Sequence, residues 1–472
     1  MDPQRKKSFI LLIVFLILLG AVPLLWPGDA PWINDEPRLI QMAMDCKSAG
    51  TWPIHGIMGS RGIIYGPFPL WIYTALLHVT DDLVDLVRIR AFLVTLVTAI
   101  SIAWIASCCK LLTPAAGALA LLSPCLWLYS RQLWDNTFLI PLSALSAAAY
   151  ISFCARQAAW NFWTAGLALT FMLLTHLMSA AWIAPFLAHG IWFHRQWIRR
   201  HAAAAASCAA VAVLISWPYL SFLFEMPHAR LPQAEFSPWA GWVFPFFGGR
   251  FFSAHGLDYF FGEDWEPAGV WIFSRITFFA VPLVWLGMAL TVRRLWRLRQ
   301  TAAGMDADAH LGILACASVL AACFLNGWTR TYGHPHYYNA TWICFLYFFW
   351  TALSSIPAAR LSQAVYAFSM AVVLGFLILH IHRLAGNQNI HYGPALGHQI
   401  EIVRQIHAYH PESPVYAEMR SYNLFPHAFK TLRRFYGLNG TETGPLKELT
   451  ISPADGTGRQ GWLNVWETPV SP

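Results

Sequence analysis

Charge is scarce in this chain. Only 12% of its 472 residues are Asp, Glu, Lys or Arg, whereas 57% are hydrophobic and the mean hydropathy is +0.46. A soluble domain carries about 25% charged residues and about 45–50% apolar residues. The composition therefore argues against an ordinary soluble domain and predicts an integral membrane protein. The 24 tryptophans agree with this prediction, because indole rings collect at lipid–water interfaces.

A cysteine framework is also lacking. The nine cysteines are scattered, and neither a CxxC element nor a Cys/His metal-binding spacing is present. Cys46 alone is predicted to lie clearly in an external loop, which argues against a disulfide scaffold. No small-x-small cleavage site follows the first apolar run, so an uncleaved first helix is expected.

Charges are missing from the middle of the apolar runs as well. No Asp, Glu or Lys lies at the centre of a candidate span, and no internal repeat is visible. Transporters commonly carry intramembrane charges and repeated halves, so both absences argue against a secondary transporter. The formal net charge of +7 is concentrated in predicted cytoplasmic loops. It indicates contact with anionic lipid headgroups and not with nucleic acid.

What the chain does have is a series of long apolar runs. A helix needs about 20 mostly apolar residues to cross the hydrocarbon core, and about eleven runs qualify. They lie near 8–27, 86–107, 111–130, 136–154, 158–175, 177–194, 202–222, 269–291, 310–328, 337–354 and 362–380. With a cytoplasmic N-terminus, every short basic loop falls on the cytoplasmic side, as the positive-inside rule requires. The same alternation places the C-terminus outside.

The predicted fold is an all-α polytopic membrane protein followed by a small external domain. Residues 1–380 would form the transmembrane domain, with a long first external loop at about 28–85 that bears interfacial helices. Residues 381–472 are more polar and predict helices with strands near Val415–Glu418 and in the final GWLNVWET segment. This indicates an external α/β domain, for which acceptor binding and a lid over the loops are both open roles.

Polar residues with chemical potential concentrate in the predicted external segments. The candidates are Asp35, Glu36, Arg38, Tyr65, Arg131, Asp135, Asn136, His176, Arg275, Arg330, His334, His336, Tyr337 and Tyr338. Each has a simpler explanation as well: a solvated loop, an arginine that reaches for lipid headgroups, or an ordinary turn. Their convergence on one membrane face nevertheless favours a site for an anionic, lipid-linked substrate.

Four segments resemble the C-type (GT-C) superfamily of polytopic membrane glycosyltransferases, in the branch of protein O-mannosyltransferases and the lipid A aminoarabinose transferase. They are WINDEPR at 32–38, YGPFPLWIY at 65–73, SRQLWDN at 130–136 and HPHYYN at 334–339. The resemblance implies an inverting enzyme of the bacterial cytoplasmic (inner) membrane. It would move one sugar from a polyprenyl-phosphate-linked donor to a hydroxyl on a lipid, glycan or protein outside.

The resemblance also implies roles for individual residues. Asp35 would be the catalytic base, with Glu36 beside it as support or as a second ligand of a divalent metal ion. Contacts to the donor phosphate are expected from Arg38, Arg131, Arg275, Arg330, His336 and Tyr337. Contacts to the rest of the substrate are expected from Tyr65, Asp135, Asn136, His176, His334 and Tyr338.

The chain departs from this branch in two places, and other functions stay open. It has GPFPL at 66–70 where relatives carry a lysine in a KPPL element, and His176 where they carry a second lysine. One alternative is a flippase or transporter for a lipid-linked sugar, which would tolerate loss of Asp35. Another is a non-enzymatic scaffold of a polysaccharide assembly complex, which would turn over no donor.

Overall fold

The protein's structure, a computed structural model, covers most of the apolar bundle and parts of the C-terminal segment. The residues it describes are 24, 27–32, 35–59, 62–109, 120–121, 123–226, 237, 280–301, 305–329, 335–356, 363–365, 367–368, 371, 375, 395–409, 415–418, 426–438, 447–453 and 463–468. The predicted span at 8–27, nearly all of the predicted external loop at 223–268, and three candidate site residues lie outside them. Those three residues are Arg275, Arg330 and His334.

Most of the described chain is helical. The helices are α1 (Asp35–Ala49), α2 (Phe68–Leu77), α3 (Leu83–Cys108), α4 (Pro124–Arg131), α5 (Leu139–Arg156), α6 (Ala159–Leu173), α7 (Ala180–Phe193), α8 (Arg195–Arg200), α9 (Ala202–Glu225), α10 (Ala280–Thr301), α11 (Ala307–Thr329), α12 (Trp342–Ser354), α13 (Leu396–Tyr409) and α14 (Pro426–Phe435). Short 3-10 helices lie at Pro27–Asp29, Asn136–Phe138, Leu177–Ser179 and Pro335–Tyr338.

Four helical runs among the described residues are long and apolar enough to cross a membrane. They are α3, the run Asn136–Arg156 that contains α5, α9 and α11. Each begins and ends within three residues of a predicted span, because a continuous apolar run is the dominant signal for such helices. Shorter apolar helices lie at two more predicted spans, Leu177–Phe193 and α12, and the count of about eleven stays a prediction. Helix α10 continues to Thr301, beyond the predicted end at 291, so the basic segment 293–299 is helical.

Helix α5 lies at the centre of the bundle. Of its apolar window 83% is buried, against 17% for α9. It packs against α3 and α6, and its buried face is rich in small residues such as Ser143, Ala144, Ala147 and Ala148. Small side chains let helices approach closely where lipid offers no hydrophobic driving force. The exposed apolar surface of α9 is therefore the surface expected to face lipid.

Two segments that the sequence predicts as external loops are helical instead. Asp35 and Glu36 form the first turn of α1, with Pro37 next to them. Proline is favoured in the first turn of a helix, and acidic side chains there complement the positive end of the helix dipole. Ser130 and Arg131 lie in α4 and are buried, so the predicted exposed turn at 129–136 is in fact part of the packed interior.

The C-terminal segment contains three strands. They are β1 (Val415–Glu418), β2 (Lys447–Pro453) and β3 (Leu463–Thr468), in the order β1-β2-β3. Strands β1 and β2 are parallel, with Val415 opposite Lys447, while β2 and β3 are antiparallel. Two of the strands lie where the sequence predicts strands, and β2 was not predicted. The boundary at 381 falls outside the described residues and stays a prediction.

Helices α13 and α14 pack against the segment that leads into α1. The indole N–H of Trp32, which is fully buried, donates to the Ala428 carbonyl at 3.2 Å, and the Gln399 amide donates to the Trp32 carbonyl at 2.8 Å. At the other end of α1, Arg434 lies 2.6 Å from Asp45. The C-terminal segment thus contacts α1 near both of its ends and fixes its position.

We expect Gly287→Ala to destabilise the protein by about 1–3 kcal/mol or more, as other substitutions that overpack an interior do. A Cβ at Gly287 would lie 1.7 Å from the Phe348 carbonyl oxygen, so α10 and α12 could no longer approach as closely. The midpoint of thermal unfolding in detergent measures the effect. In the control Gly190→Ala the nearest atom, the Tyr150 hydroxyl oxygen, is 3.5 Å away. Equal losses in both variants would contradict the prediction.

Candidate functional site

Three acidic side chains lie together where α1 meets the segment between α4 and α5. We call Asp35, Glu36 and Asp135 the acid cluster. Asp35 and Glu36 accept hydrogen bonds from Trp134 and Gln132, the neighbours of Asp135 in its segment, and their negative charges raise the pKa of Asp135. Two of the four segments that resemble the glycosyltransferase superfamily, 32–38 and 130–136, therefore meet here in space.

Two neutral donors from the 130–136 segment bind the two acids in the first turn of α1. The Trp134 indole N–H donates to Asp35 Oδ2 at 2.8 Å, and the Gln132 amide donates to Glu36 Oε1 at 2.8 Å. The Asp35 side chain is 28% exposed, whereas Glu36 is 3% exposed. Of the two acids in the first turn of α1, Asp35 is therefore the one that solvent can reach, and Glu36 supports it from the interior. Arg38 is exposed, with its Nη1 3.8 Å from Asp35 Oδ1.

Asp135 is the buried member of the acid cluster. Its Oδ1 accepts the Asn136 backbone N–H at 2.7 Å, and its Oδ2 has no hydrogen-bond partner among the described residues. Burial, and then the negative charge of Asp35, raise the pKa of Asp135 to about 8. The carboxyl group is therefore mostly neutral at pH 7, and the acid cluster carries less negative charge than its composition implies.

Arg90 of α3 organises the segment that supplies these groups. Its side chain is fully buried, and Nη1 donates to the Tyr129 carbonyl at 3.1 Å and the Ser130 carbonyl at 2.6 Å. Nη2 donates to the Thr137 hydroxyl. A single guanidinium thus fixes both ends of the stretch that contains Gln132, Trp134 and Asp135.

Residues of the HPHYYN segment also contact the segment between α4 and α5. The His336 ring lies 4.7 Å from the Trp134 ring, and the Tyr337 ring lies 4.0 Å from that of His336. The Asn339 amide donates to Asn136 Oδ1 at 3.2 Å. Tyr338 is buried. His336, Tyr337 and Asn136 are therefore next to the acid cluster, as a shared site requires.

The Arg131 guanidinium packs on an aromatic ring. Its side chain is fully buried, with the guanidinium carbon 3.6 Å from the centroid of the Trp127 ring. This is a cation–π arrangement, which stabilises a desolvated guanidinium. A role for Arg131 as a ligand of the donor phosphate stays a prediction, as it does for Arg38.

Tyr65 and His176 form a second aromatic contact, with ring centroids 4.0 Å apart. The His176 Nδ1 accepts the Met178 N–H at 3.1 Å, and burial lowers the pKa of His176 to about 3. The imidazole is therefore neutral and cannot supply the positive charge that a lysine gives at this position in the resembling family. Gly66 is required beside it, because a Cβ there would lie 2.1 Å from the Leu174 carbonyl oxygen.

The metal ion expected at Asp35 and Glu36 would rest on two carboxylates that already accept hydrogen bonds from Trp134 and Gln132. Among the described residues, the group of three or more His, Cys, Asp or Glu side chains close enough to share one ion lies elsewhere, at Cys154, His194 and His310. With His334 outside the described residues, a third ligand for the two acids is not identified.

Sequence reasoning missed three residues of this site: Arg90, Gln132 and Trp134. The last two lie inside the SRQLWDN segment, where polar groups interrupt an apolar environment. Arg90 could have been predicted to have a structural role, since it is an arginine just inside a predicted span. A buried cation there needs partners, and those partners are the carbonyl groups of 129–130.

Two solved structures are similar to this chain over nearly its whole length, and both are of ArnT from Cupriavidus metallidurans. The one bound to undecaprenyl phosphate has 13% sequence identity and a TM-score of 0.49, and covers 97% of this chain and 98% of the other. The apo structure has 14% identity and a TM-score of 0.44, and covers 98% of each chain. No family model and no curated protein matches the chain.

We expect Asp135→Asn to remove a pH dependence of stability. The folded protein holds this proton more tightly than the unfolded chain, in which the carboxyl group has its ordinary pKa of 3.8. Stability should therefore fall as the pH rises from about 4 to about 8, and the variant, which resembles the neutral acid, should lack that part of the fall. Thermal unfolding across this range measures it. Asp81→Asn, at a 99% exposed side chain, is the control, and an unchanged slope in Asp135→Asn would contradict the assignment.

Arg90→Lys should destabilise the protein by about 1.5–3 kcal/mol, the usual contribution of a hydrogen bond to a charged group. An ammonium group cannot reach the Tyr129 and Ser130 carbonyls and the Thr137 hydroxyl together. Arg88→Lys is a matched control on the same helix, because Arg88 is half exposed and pairs with Asp85. Unfolding midpoints of the two variants in detergent should differ clearly, and similar midpoints would count against the role of Arg90.

Proposed function

We propose that the protein is an inverting glycosyltransferase that acts on the external face of the membrane. It moves a single sugar from a polyprenyl-phosphate-linked donor to a hydroxyl group on a lipid, glycan or protein. The observation that supports this most directly is the state of Asp35. It is a partly exposed carboxylate at a helix N-terminus, it is oriented by an indole N–H, and two buried acids lie beside it.

Asp35 has the properties that a general base needs. The acceptor hydroxyl must lose its proton to a carboxylate within hydrogen-bonding reach as its oxygen attacks the anomeric carbon. The bond between that carbon and the donor phosphate breaks on the opposite side, which inverts the configuration. The Trp134 hydrogen bond and the first turn of α1 both favour negative charge on Asp35. Glu36 and Gln132 fix the turn that presents it.

The donor brings negative charge to a site that already contains three carboxyl groups. Neutral Asp135 reduces the repulsion, and the Gln132 amide, which donates to Glu36, compensates part of the charge of that carboxylate. The departing phosphate gains charge and needs cations or hydrogen-bond donors aimed at it. We assign this role to Arg38, Arg131, His336 and Tyr337 among the described residues, together with Arg275 and Arg330.

The remaining contacts of the substrate are assigned to residues around the acid cluster. They are Tyr65, Asp135, Asn136, His176, His334 and Tyr338. A divalent metal ion at Asp35 and Glu36 is a further proposal. When bound, such an ion would stabilise negative charge on the oxygens of the donor phosphate. The proton transfer to Asp35 does not depend on it.

We expect Asp35→Asn to lower the rate of sugar transfer at least about 100-fold, the usual lower limit for loss of a general base. The amide can still accept the Trp134 hydrogen bond, so the fold should be retained. The assay uses membranes from the source cell, which contain the acceptor, and a panel of radiolabelled polyprenyl-phosphate sugars. Asp81→Asn, in the same predicted external segment, should transfer at the normal rate.

The other functions predict different outcomes of the same assay. Normal transfer by Asp35→Asn would refute Asp35 as the base. A flippase would move the labelled donor across sealed vesicles without forming a product, and would do so in the variant too. A scaffold would show neither transfer nor movement in any membrane that contains the folded protein.

A further inference from the structure

Three histidines and a cysteine lie together at the end of the bundle that is remote from Asp35. We call Cys154, His189, His194 and His310 the His–Cys cluster. Cys154 lies 18 residues after Asn136 in one continuous helical run, which corresponds to about 27 Å along the axis at about 1.5 Å per residue. The cluster is therefore a separate site and not part of the acid cluster.

The cluster draws on three different parts of the bundle. Cys154 belongs to α5, His194 lies between α7 and α8, and His310 belongs to α11. The ligand atoms of these three side chains all lie within 4.8 Å of one another, and Cys154 Sγ is 3.3 Å from His194 Nε2. His194 and His310 are buried, and Cys154 is partly buried.

These separations are close to those around a single metal ion. Zinc binds sulfur at about 2.3 Å and histidine nitrogen at about 2.0–2.1 Å in a tetrahedral arrangement, which places ligand atoms about 3.3–3.6 Å apart. The sulfur–nitrogen distance between Cys154 and His194 already has this value. His310 has to approach by about 1.5 Å at most, a movement within the reach of a side-chain rotation.

The cluster also has the outer contacts that a metal site needs. His189 Nε2 lies 3.2 Å from His310 Nδ1, and the Tyr150 hydroxyl lies 2.8 Å from His189 Nδ1. A metal-bound histidine usually donates its second ring N–H to such a partner, which fixes the orientation of the ring. Tyr150 thus orients His189, which in turn contacts the candidate ligand His310.

We propose that Cys154, His194 and His310 bind one transition metal ion, with Zn²⁺ the ion that fits best. Thiolate and imidazole ligands suit Zn²⁺ and disfavour Mg²⁺ and Ca²⁺, which require oxygen ligands. Binding forms one metal–sulfur and two metal–nitrogen bonds, and the Cys154 thiol releases its proton to the solvent. The ion would join α5, the junction of α7 and α8, and α11.

Cobalt(II) titration of the chelator-treated, full-length protein in detergent tests this proposal. Co²⁺ replaces Zn²⁺ in tetrahedral sites and reports a thiolate ligand through a sulfur-to-cobalt charge-transfer band. We expect one Co²⁺ per chain, displaced by Zn²⁺. Cys154→Ser should lose the charge-transfer band, and His310→Gln should bind at least about 100-fold more weakly. His189→Gln should weaken binding about 10- to 100-fold, the usual effect of removing an outer contact.

Two variants serve as matched controls. Cys316→Ser changes a partly buried thiol on the same helix as His310, and His201→Gln changes a histidine near α8 that lies outside the cluster. Both should keep the band and the affinity. A band that persists in Cys154→Ser, or that is lost equally in Cys316→Ser, would overturn the proposal, as would the absence of Co²⁺ binding to the wild-type protein.

A measurement on the unmodified protein covers the case in which Cys154→Ser does not fold. Bound Zn²⁺ should protect Cys154 from alkylation by iodoacetamide, as read by mass spectrometry, while Cys316 is modified equally with and without the ion. Equal modification of Cys154 in the two conditions would refute the site independently of any variant.

Discussion

The acid cluster depends on one buried guanidinium. Arg90 is enclosed by the bundle, so its donors need partners inside the protein, and its two terminal nitrogens find them in carbonyl and hydroxyl oxygens of residues 129–137. That short stretch would otherwise be a polar turn at the edge of a membrane. Held by Arg90, it presents Gln132 and Trp134 to the two acids of α1 and carries Asp135 into the interior. The arrangement of the acid cluster thus depends on Arg90, a residue to which no catalytic role is assigned.

A second constraint is the accumulation of like charges. Three carboxyl groups in one place repel each other and would repel an anionic donor. The structure separates their roles by environment: Asp35 is partly exposed and receives an indole N–H, Glu36 is buried with an amide donor, and burial keeps Asp135 mostly neutral. Environments that push neighbouring carboxyl groups into different protonation states are typical of acid–base sites. The contacts of α13 and α14 with Trp32 add a mechanical function for the C-terminal segment, because they anchor the chain just before Asp35.

The apolar helices could be predicted from the sequence, since a run of about 20 apolar residues near a membrane has few alternatives. The proximity of the three segments could be predicted too, because Asp35 contacts Trp134 and Trp134 contacts His336. Their role as a substrate site stays a prediction. The partners of the acids could not, since Trp134 lies 99 residues from Asp35 in the chain and side-chain pairing at that distance leaves no local pattern. Asp35 in a helix was missed because a polar, proline-containing turn is read as a loop. The His–Cys cluster escaped because its residues lie 40 and 116 positions apart, far from any metal-binding spacing.

The two sites share structural elements although they lie far apart. Over about 27 Å, two unit charges interact by about 0.6 kcal/mol at an effective dielectric constant of about 20, which is less than a tenfold effect on an equilibrium. A metal ion in the His–Cys cluster would therefore influence the acid cluster mechanically and not through its charge. It would join α5 to α11, and α5 begins beside Asn136 while α11 precedes the segment that carries Asn339. Fixing the axial register of these two helices at one end constrains the contact between Asn136 and Asn339 at the other.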